Sequence, residues 1–418
     1  MAELVIIGAS YAGTQLALAA RAGGFAGGIT MIGDETVAPY QRPPLSKAFL
    51  REDIEAASLQ LQSPERFAEE RIELRTGIAA LGIDRAAQTV LLSDGMRARY
   101  DHLALTTGAR CRRLACPGAE FRHVYYLRSL ADARAIKAGA AQAKRAVVIG
   151  GGFIGLEVAA SLRAQGLEVA VVELQHRLLQ RAVPALISDF LRGAHEAQGV
   201  RFHLGIGVRR LHGDAGGDVS GVELDNGEIL PATLVVAGLG VVPNVELAEQ
   251  CGLAVDNGIV VDRFARTSDP RIVAAGDCAA YPNPWLNGTF HAPGEAAVRP
   301  VRVESIQSAN DLARVAAATI VGQPAPYDAV PWFWSDQYGY KLQMAGCSHG
   351  HDEVIVRGEV AAGKFTAVYL RNGVMIGADS VNRPQDHMAA RRLVAATVRP
   401  GAAALSDETV ALKALLPA

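Results

Sequence analysis

A turn that only small residues can make occurs twice in this chain, and it constrains the fold more than any other feature. "VIIGASYAG" spans residues 5–13 and "VVIGGGFIG" spans residues 147–155. Each follows an apolar run and precedes a helix-like stretch ("TQLALAAR", "LEVAASLR"), so each reads as strand, tight turn and helix. In that arrangement glycine lets the backbone approach a pyrophosphate, and the helix start offers unpaired N–H groups and a partial positive charge. The second copy is complete at Gly150, Gly152 and Gly155; the first keeps Gly8 and Gly13, with Ser10 in the middle position and Ala12 beside the last glycine. An acid follows the next predicted strand in both. Asp34 and Glu35 lie 26 and 27 residues past Gly8, and Glu173 lies 23 past Gly150; a ribose-binding acid is expected at an offset of about 20. Two such units imply two dinucleotides and an α/β fold.

A length of 418 residues allows two to four domains at roughly 100–200 residues each. Half the residues are hydrophobic and the net charge is −2, which argues against disorder and against a nucleic-acid-binding surface. Residues 4–20 and 229–245 carry no charge. The first contains Ser10, Tyr11, Thr14 and Gln15 and is short for a span, and the second is broken by Pro231, Gly238, Gly240 and Pro243. The expected location is the cytoplasm. Five cysteines in a chain of this size do not make a disulfide framework; Cys111 and Cys116 read as loop thiols, and no Cys or His cluster has metal-ligand spacing.

Residues 1–110 form a first unit and 111–240 a second that repeats its pattern, as in an internal duplication. Residues 241–322, ending in an amphipathic helix over 304–322, are expected to return to the first unit. From 323 to 418 the pattern changes to alternating strands with an Asn372-Gly373 hairpin turn and a helix over 384–398, a third, α+β domain. The proline- and glycine-rich stretch 281–302 reads as a surface loop.

Both fingerprints, "PYQRPPLSK" (39–47), "TSDPRIVAAGDCA" (267–279) and "PWFWSDQY" (331–338) stand together in this chain. In these motifs it resembles, over essentially its full length, the FAD-dependent, NADH-using ferredoxin reductases of bacterial oxygenase systems. The resemblance implies a glutathione reductase-like flavoprotein with two dinucleotide-binding domains and a C-terminal α+β domain. It implies hydride transfer from NADH to FAD, then two one-electron steps to a two-iron two-sulfur ferredoxin that feeds a monooxygenase or a Rieske dioxygenase. The 281–302 loop is longer than that pattern suggests.

On this resemblance the first fingerprint holds FAD through Gly8, Ala12 and Gly13, with Asp34 or Glu35 on the adenosine ribose and Arg42 on the following loop. Lys47 reaches the flavin ring; the alternative is a solvated lysine at a helix start. Ala80, Thr107, Gly108, Arg128 and Ile306 line FAD, Asp277 meets the ribityl chain, and Trp334 is either the aromatic residue near the ring or a core tryptophan. The second fingerprint holds NADH through Gly150, Gly152, Ile154 and Gly155. Glu157 resembles the acid beside Lys47 and the nicotinamide amide, although a glutamate early in a helix also complements the helix dipole. Glu173 accepts the ribose hydroxyls and disfavours a 2′-phosphate; Arg177 and Arg181 keep NADPH open, with Arg181 implied on the adenosine half. An acidic ferredoxin would meet a basic face, for which Arg314, Arg391, Arg392 and Lys413 are candidates. No Ser-His-Asp or Cys-His arrangement is evident, and the ten histidines lie scattered. Among rivals of the same fold, a peroxidase needs a first-unit cysteine, and residues 1–110 have none; a flavoprotein redox sensor of the apoptosis-inducing-factor type is the rival of a different class.

Overall fold

Strand β1 (Glu3–Ile7) is apolar after its first residue, and in the computed structural model, which describes residues 2–52, 54–286 and 299–417, it runs through the middle of a parallel sheet. The glycine turn leads from it into α1 (Tyr11–Ala22), and β2 (Gly28–Gly33), β3 (Ile72–Thr76) and β4 (His102–Leu105) follow. β1 pairs in parallel with β2 on one side and β4 on the other. Near-continuous apolar strands suit a sheet covered on both faces.

The second unit repeats the plan. β5 (Val124–Tyr125), β6 (Arg145–Ile149), α2 (Phe153–Ala164), β7 (Glu168–Glu173), α3 (Ala185–Ala197), β8 (Arg201–Leu204) and β9 (Leu234–Ala237) give a parallel sheet of order β8-β7-β6-β9-β5. Each unit also carries a three-stranded antiparallel sheet, within residues 80–99 and 208–231, ahead of its last long strand. The duplicated pattern in the sequence is thus a duplicated chain path.

Past β9 the chain turns back. Val241–Pro243 pairs antiparallel with Ala109–Cys111, so Cys111 lies on a short strand rather than in the loop its neighbours suggested. β10 (Ile272–Ala274) then joins the first sheet beside β4. Helix α4 (Ile306–Ile320) lies against α1, where Ala12, Leu16, Ala17 and Ala20 share one apolar cluster with Ala309, Leu312, Ala313, Ala316 and Ala317. Small side chains on both faces let the helices approach closely, and this brings the start of α4 near the first glycine turn. Ala279–Pro282 and Pro300–Val301 pair antiparallel, so the expected 281–302 loop is a hairpin at its ends; residues 287–298 lie outside the described residues.

The third domain is an antiparallel sheet built from β11 (Trp332–Gln337), β12 (Tyr340–Gly346), β13 (Glu353–Glu359), β14 (Lys364–Arg371) and β15 (Val374–Val381), in the order β11-β12-β15-β14-β13. Asn372 and Gly373, with φ of 49° and 75°, make the tight turn between β14 and β15. Alternation divides the sheet's side chains into two rows. Ala345, Val368, Leu370 and Ala378 pack under helix α5 (Pro384–Ala395), three residues shorter at its end than the sequence suggested. Leu342, Phe365, Ala367 and Val381 meet Leu156 of α2 and Ile187 and Leu191 of α3. That second row seats β11 against the helix that follows the second fingerprint.

Candidate functional site

In the first cradle Gly8 adopts φ of 112°, and a Cβ there would run into the carbonyl oxygen of Thr106; a Cβ at Gly13 would run into the carbonyl of Gly8. The Thr106 hydroxyl donates to the Ile7 and Gly8 carbonyls at 3.0 and 2.8 Å, which keeps the end of β4 tight on the turn. Ser10, at the middle-glycine position, does not cap α1 with its side chain; its Oγ accepts from Arg42 Nε at 3.3 Å. Arg42 is thereby drawn over the turn. It also bonds the Arg128 carbonyl at 2.7 Å and Glu35 Oε1 at 2.6 Å, while Arg128 Nη2 pairs with Asp277 Oδ2 at 2.9 Å. Gly108 has φ of 65° and a Cβ there would come within 3.5 Å of Arg128. A Cβ at Gly276, next to Asp277, would come within 3.0 Å of the Ala12 methyl. The structure therefore gathers Gly8, Ala12, Gly13, Arg42, Gly108, Arg128 and Asp277 around the head of α1, with Ile306 opening α4 close by. Thr107 is turned to Asn244, its Oγ1 donating to that carbonyl at 2.7 Å, and Ala80 opens the small sheet packed on the first core.

The two acids of the first unit differ. Glu35 has both oxygens engaged, one by Arg42 and the other by the Tyr40 hydroxyl at 2.5 Å, whereas Asp34 is exposed. Register explains why neither matches Glu173. Ile7 pairs with Ile32 and Ile149 with Val172, so the place of Glu173 is held in the first unit by Gly33, where a Cβ would press on Ala9.

The second cradle follows the same geometry. Gly150 has φ of 110° and faces the Gly238 carbonyl, and Gly155 faces the Gly150 carbonyl; a Cβ at either would collide. Gly152 differs, because a Cβ there would meet nothing within 4 Å. It stands at the head of α2 with no side-chain cap, so the helix's first N–H groups look into open space. Glu173 accepts from Gly151 N at 2.6 Å and from Gln175 N at 2.8 Å. Arg177 is tied into its own loop through the Val183 and Gln180 carbonyls, while Arg181 is exposed. Ile154 and Leu174 stand exposed on the rim, at 46% and 66%. In both cradles the first and last fingerprint glycines are crowded by backbone, and the tight turn they allow opens directly into a helix whose N–H groups no N-cap side chain bonds, a shape that fits a dinucleotide.

The cradles meet at Lys47 and Glu157. Lys47 Nζ lies 2.8 Å from Glu157 Oε2, with side-chain exposures of 15% and 2%. Pro43 and Pro44 stiffen the turn before Lys47, and Phe49 and Leu50 just after it bury among Val158, Ala159 and Leu162 of α2. The loop of one unit is thus pinned to the fingerprint helix of the other. Ser46 Oγ donates to Glu157 Oε2 at 2.5 Å, and Ser335 Oγ of β11 donates to Oε1 at 2.6 Å. Neither serine stood out in the sequence, although Ser46 precedes Lys47 and Ser335 follows Trp334.

Trp334 and Trp332 share one face of β11, their rings 5.6 Å apart, and Phe333 on the other face packs 4.7 Å from Phe153. Arg391 lies 4.7 Å over the Trp332 ring. A cleft of about 350 Å³ opens beside it, lined by Gln307, Asp311, Val330, Met388, Arg391 and Arg392. Arg314 pairs at 2.7 Å with Asp311, which lines this cleft; Arg314 itself and Lys413, on a separate turn, do not line it.

Residues 2–310 match the family model described as pyridine nucleotide-disulphide oxidoreductase, and 332–416 match the one described as reductase C-terminal. The chain belongs to the pyridine nucleotide-disulphide oxidoreductase family. It is 47% identical over 393 residues to a rhodocoxin reductase of Rhodococcus erythropolis, covering 94% of this chain and 89% of that one. Among solved structures, the ferredoxin reductase for the CYP199A2 system from Rhodopseudomonas palustris superposes with a TM-score of 0.94 at 40% identity over all of both chains. The covalent putidaredoxin reductase–putidaredoxin complex gives 0.93 at 38%, covering 99% and 98%. This member of the pyridine nucleotide-disulphide oxidoreductase family has all five cysteines as free thiols, none of them in its first 110 residues. Cys278, next to Asp277, is fully buried, and burial pushes its thiol pKa up. Among the described residues no group of His, Cys, Asp and Glu could hold a metal, and no helix is long and apolar enough to cross a membrane.

Proposed function

We propose that the chain is an FAD-dependent NADH:ferredoxin reductase that supplies a two-iron two-sulfur ferredoxin, and through it a monooxygenase or Rieske dioxygenase. The observation that carries this reading is the Lys47–Glu157 pair where two dinucleotide cradles meet. FAD, when bound, supplies the conversion between a two-electron hydride donor and a one-electron acceptor.

The chain's own residues supply the rest. Gly8 and Gly13 let the turn close tightly on Thr106 and on itself, with Ala12 beside them, so that the head of α1 is presented to the FAD pyrophosphate; Arg42 and Arg128 bring positive charge to it, and Asp34 is the exposed acid at the ribose end. Thr107, Gly108, Asp277, Ala80 and Ile306 line the remaining length. Gly150, Gly152, Ile154 and Gly155 form the NADH turn, and Glu173 takes ribose hydroxyls and repels a 2′-phosphate, with Arg181 on the adenosine half. Lys47 sets a cation against the flavin and Glu157 sets a hydrogen-bonding carboxylate against the nicotinamide amide, with Trp334 screening the site from water. The domain division that follows is 1–110 with 241–322 for FAD, 111–240 for NADH and 323–418 for the third domain.

The solved relative in covalent complex with putidaredoxin supports a ferredoxin as partner. Arg391 and Arg392 at the cleft beside Trp332, with Arg314 paired to its lining residue Asp311, offer positive charge to it; Lys413, outside the cleft lining, is a further candidate. The same reading places the protein in the cytoplasm. Turnover of the FAD-loaded chain with NADH and a two-iron two-sulfur ferredoxin tests it: steady ferredoxin reduction supports the reductase, and a reduced flavin that persists in air while ferredoxin is left oxidised points to a sensor instead.

A further inference from the structure

Glu157 is 3% exposed, and a buried carboxylate is tolerated where donors replace water. Lys47 and Ser46 serve Oε2, and Ser335 serves Oε1. Ser335 has one hydroxyl hydrogen, given to Glu157, and its oxygen accepts from Gln337 Nε2 at 3.1 Å. Gln337 Oε1 lies 2.8 Å from His195 Nε2, so that nitrogen carries the imidazole proton. His195 Nδ1 is then an acceptor for the Tyr338 hydroxyl at 3.1 Å. Every donor in this file points toward Glu157.

The file is rigidly seated. Ser335, Gln337 and His195 are 1%, 2% and 0% exposed, and the His195 ring meets Phe202 and Tyr338 edge-on at 5.9 and 4.9 Å. It starts at Tyr338, in the turn after β11, crosses to α3 at His195, returns to β11 and ends on α2. Apolar side chains would fill the same space at less cost in desolvation; a common direction of donation is what such packing alone does not require.

We infer that Ser335, Gln337 and His195 are positioning residues for Glu157, holding its carboxylate turned so that one oxygen faces the third domain and the other faces Lys47. The inference rests on the reading of Glu157 as the acid beside the nicotinamide.

The test uses the full chain loaded with FAD and labelled with ¹³C at the glutamate side-chain carboxyls, the Glu157 signal being assigned through Glu157→Gln. That signal is expected to move in Ser335→Ala, to return in Ser335→Thr, and to move less in Gln337→Met and His195→Asn, which do not touch Glu157. In rapid mixing with NADH, Ser335→Ala is expected to lower the limiting rate of flavin reduction about tenfold, the scale of a lost hydrogen bond to a charged group, with NADH affinity held within about twofold. Folded Ser335→Ala or Gln337→Met protein with a wild-type Glu157 signal and wild-type limiting rate, changed only in melting temperature, would overturn the inference. Should Ser335→Ala not fold, Gln337→Met and His195→Asn decide it by the same signal. A wild-type chain that NADH does not reduce would sink the functional reading, and the carboxyl signal would still decide this one.

Discussion

Lys47 Nζ and Glu157 Oε2 lie 2.8 Å apart, and that contact joins the loop of the first nucleotide unit to the fingerprint helix of the second. Removing the cation leaves a buried carboxylate with two hydroxyl donors and no countercharge. Lys47→Met is therefore expected to cost up to about 3–5 kcal/mol of stability, since breaking one half of a buried pair is worse than losing both. Lys47→Met with Glu157→Gln should recover most of that loss. Urea unfolding of the wild type and the two variants with FAD bound checks this; a double variant as unstable as the single would show that the pair does not carry the effect. Both variants should retain FAD and reduce it slowly.

The first and middle glycines of the second fingerprint should behave in opposite ways. Gly150→Ala puts a methyl against the Gly238 carbonyl at a φ of 110°, so the variant is expected to be strongly destabilised or insoluble. Gly152→Ala meets nothing within 4 Å at a φ of −81°, so its melting temperature should stay near wild type. Its methyl would stand at the proposed pyrophosphate position, and NADH affinity should fall about tenfold or more, the scale of about 1.4 kcal/mol. Calorimetric titration with NAD⁺ beside thermal melts separates the two; unchanged affinity in Gly152→Ala would place the pyrophosphate elsewhere.

Glu173 holds the turn and is also the proposed ribose acid. Glu173→Ala is expected to narrow the preference for NADH over NADPH by about tenfold or more and, through the lost bond from Gly151 N, to weaken NADH itself. Steady-state kcat/KM with each nucleotide is the measurement. A preference unchanged from wild type would remove Glu173 from cofactor discrimination.

Asp379, 3% exposed in the third-domain sheet, accepts from the Tyr369 hydroxyl at 2.8 Å, and burial pushes its carboxyl up to about 7. Between about pH 4 and 7 the folded chain then holds a proton that the unfolded chain releases, so this group makes stability fall as pH rises through that window and level off above it. The loss amounts to roughly 4 kcal/mol at most. His195 and His387, both pushed down to about 4 by burial, act in the opposite sense and reduce stability as pH falls from 6.5 toward 4. The comparison that isolates Asp379 is Asp379→Asn against wild type. Urea unfolding should find the variant the more stable at pH 8, with the advantage shrinking toward pH 5; an advantage independent of pH would contradict the assignment.

The parts of the site that could be read from sequence are those made of contiguous residues. The glycine turns and Glu173 at a strand end follow from spacing, because a turn and the helix it opens are one local object; the role of Glu157 is implied by the family resemblance alone. Lys47 was named through its motif, and only the seating of Phe49 and Leu50 on α2 sets it against Glu157. Ser335, Gln337 and His195 were not legible. Their link depends on the register of β11 and on the third sheet packing against α3, and a single buried histidine leaves no spacing to detect. Spacing alone does not separate Asp34 from Glu35: Arg42 and Tyr40 engage Glu35, Asp34 is exposed, and Gly33 holds the register position where the second unit has its acid. The tryptophans of β11 could be read only as a pair, since strand alternation sets Trp332 and Trp334 on one face and Phe333 on the other.

The proposed function requires the two cradles to bring a nicotinamide onto the flavin beside Lys47 and Glu157. Anaerobic rapid mixing of the FAD-loaded chain with NADH tests it most directly. The yellow flavin absorbance is expected to bleach within one turnover, far faster with NADH than with NADPH, and to recover when an oxidised two-iron two-sulfur ferredoxin is added. A chain that binds both FAD and NADH yet keeps its oxidised flavin spectrum over many minutes would contradict it.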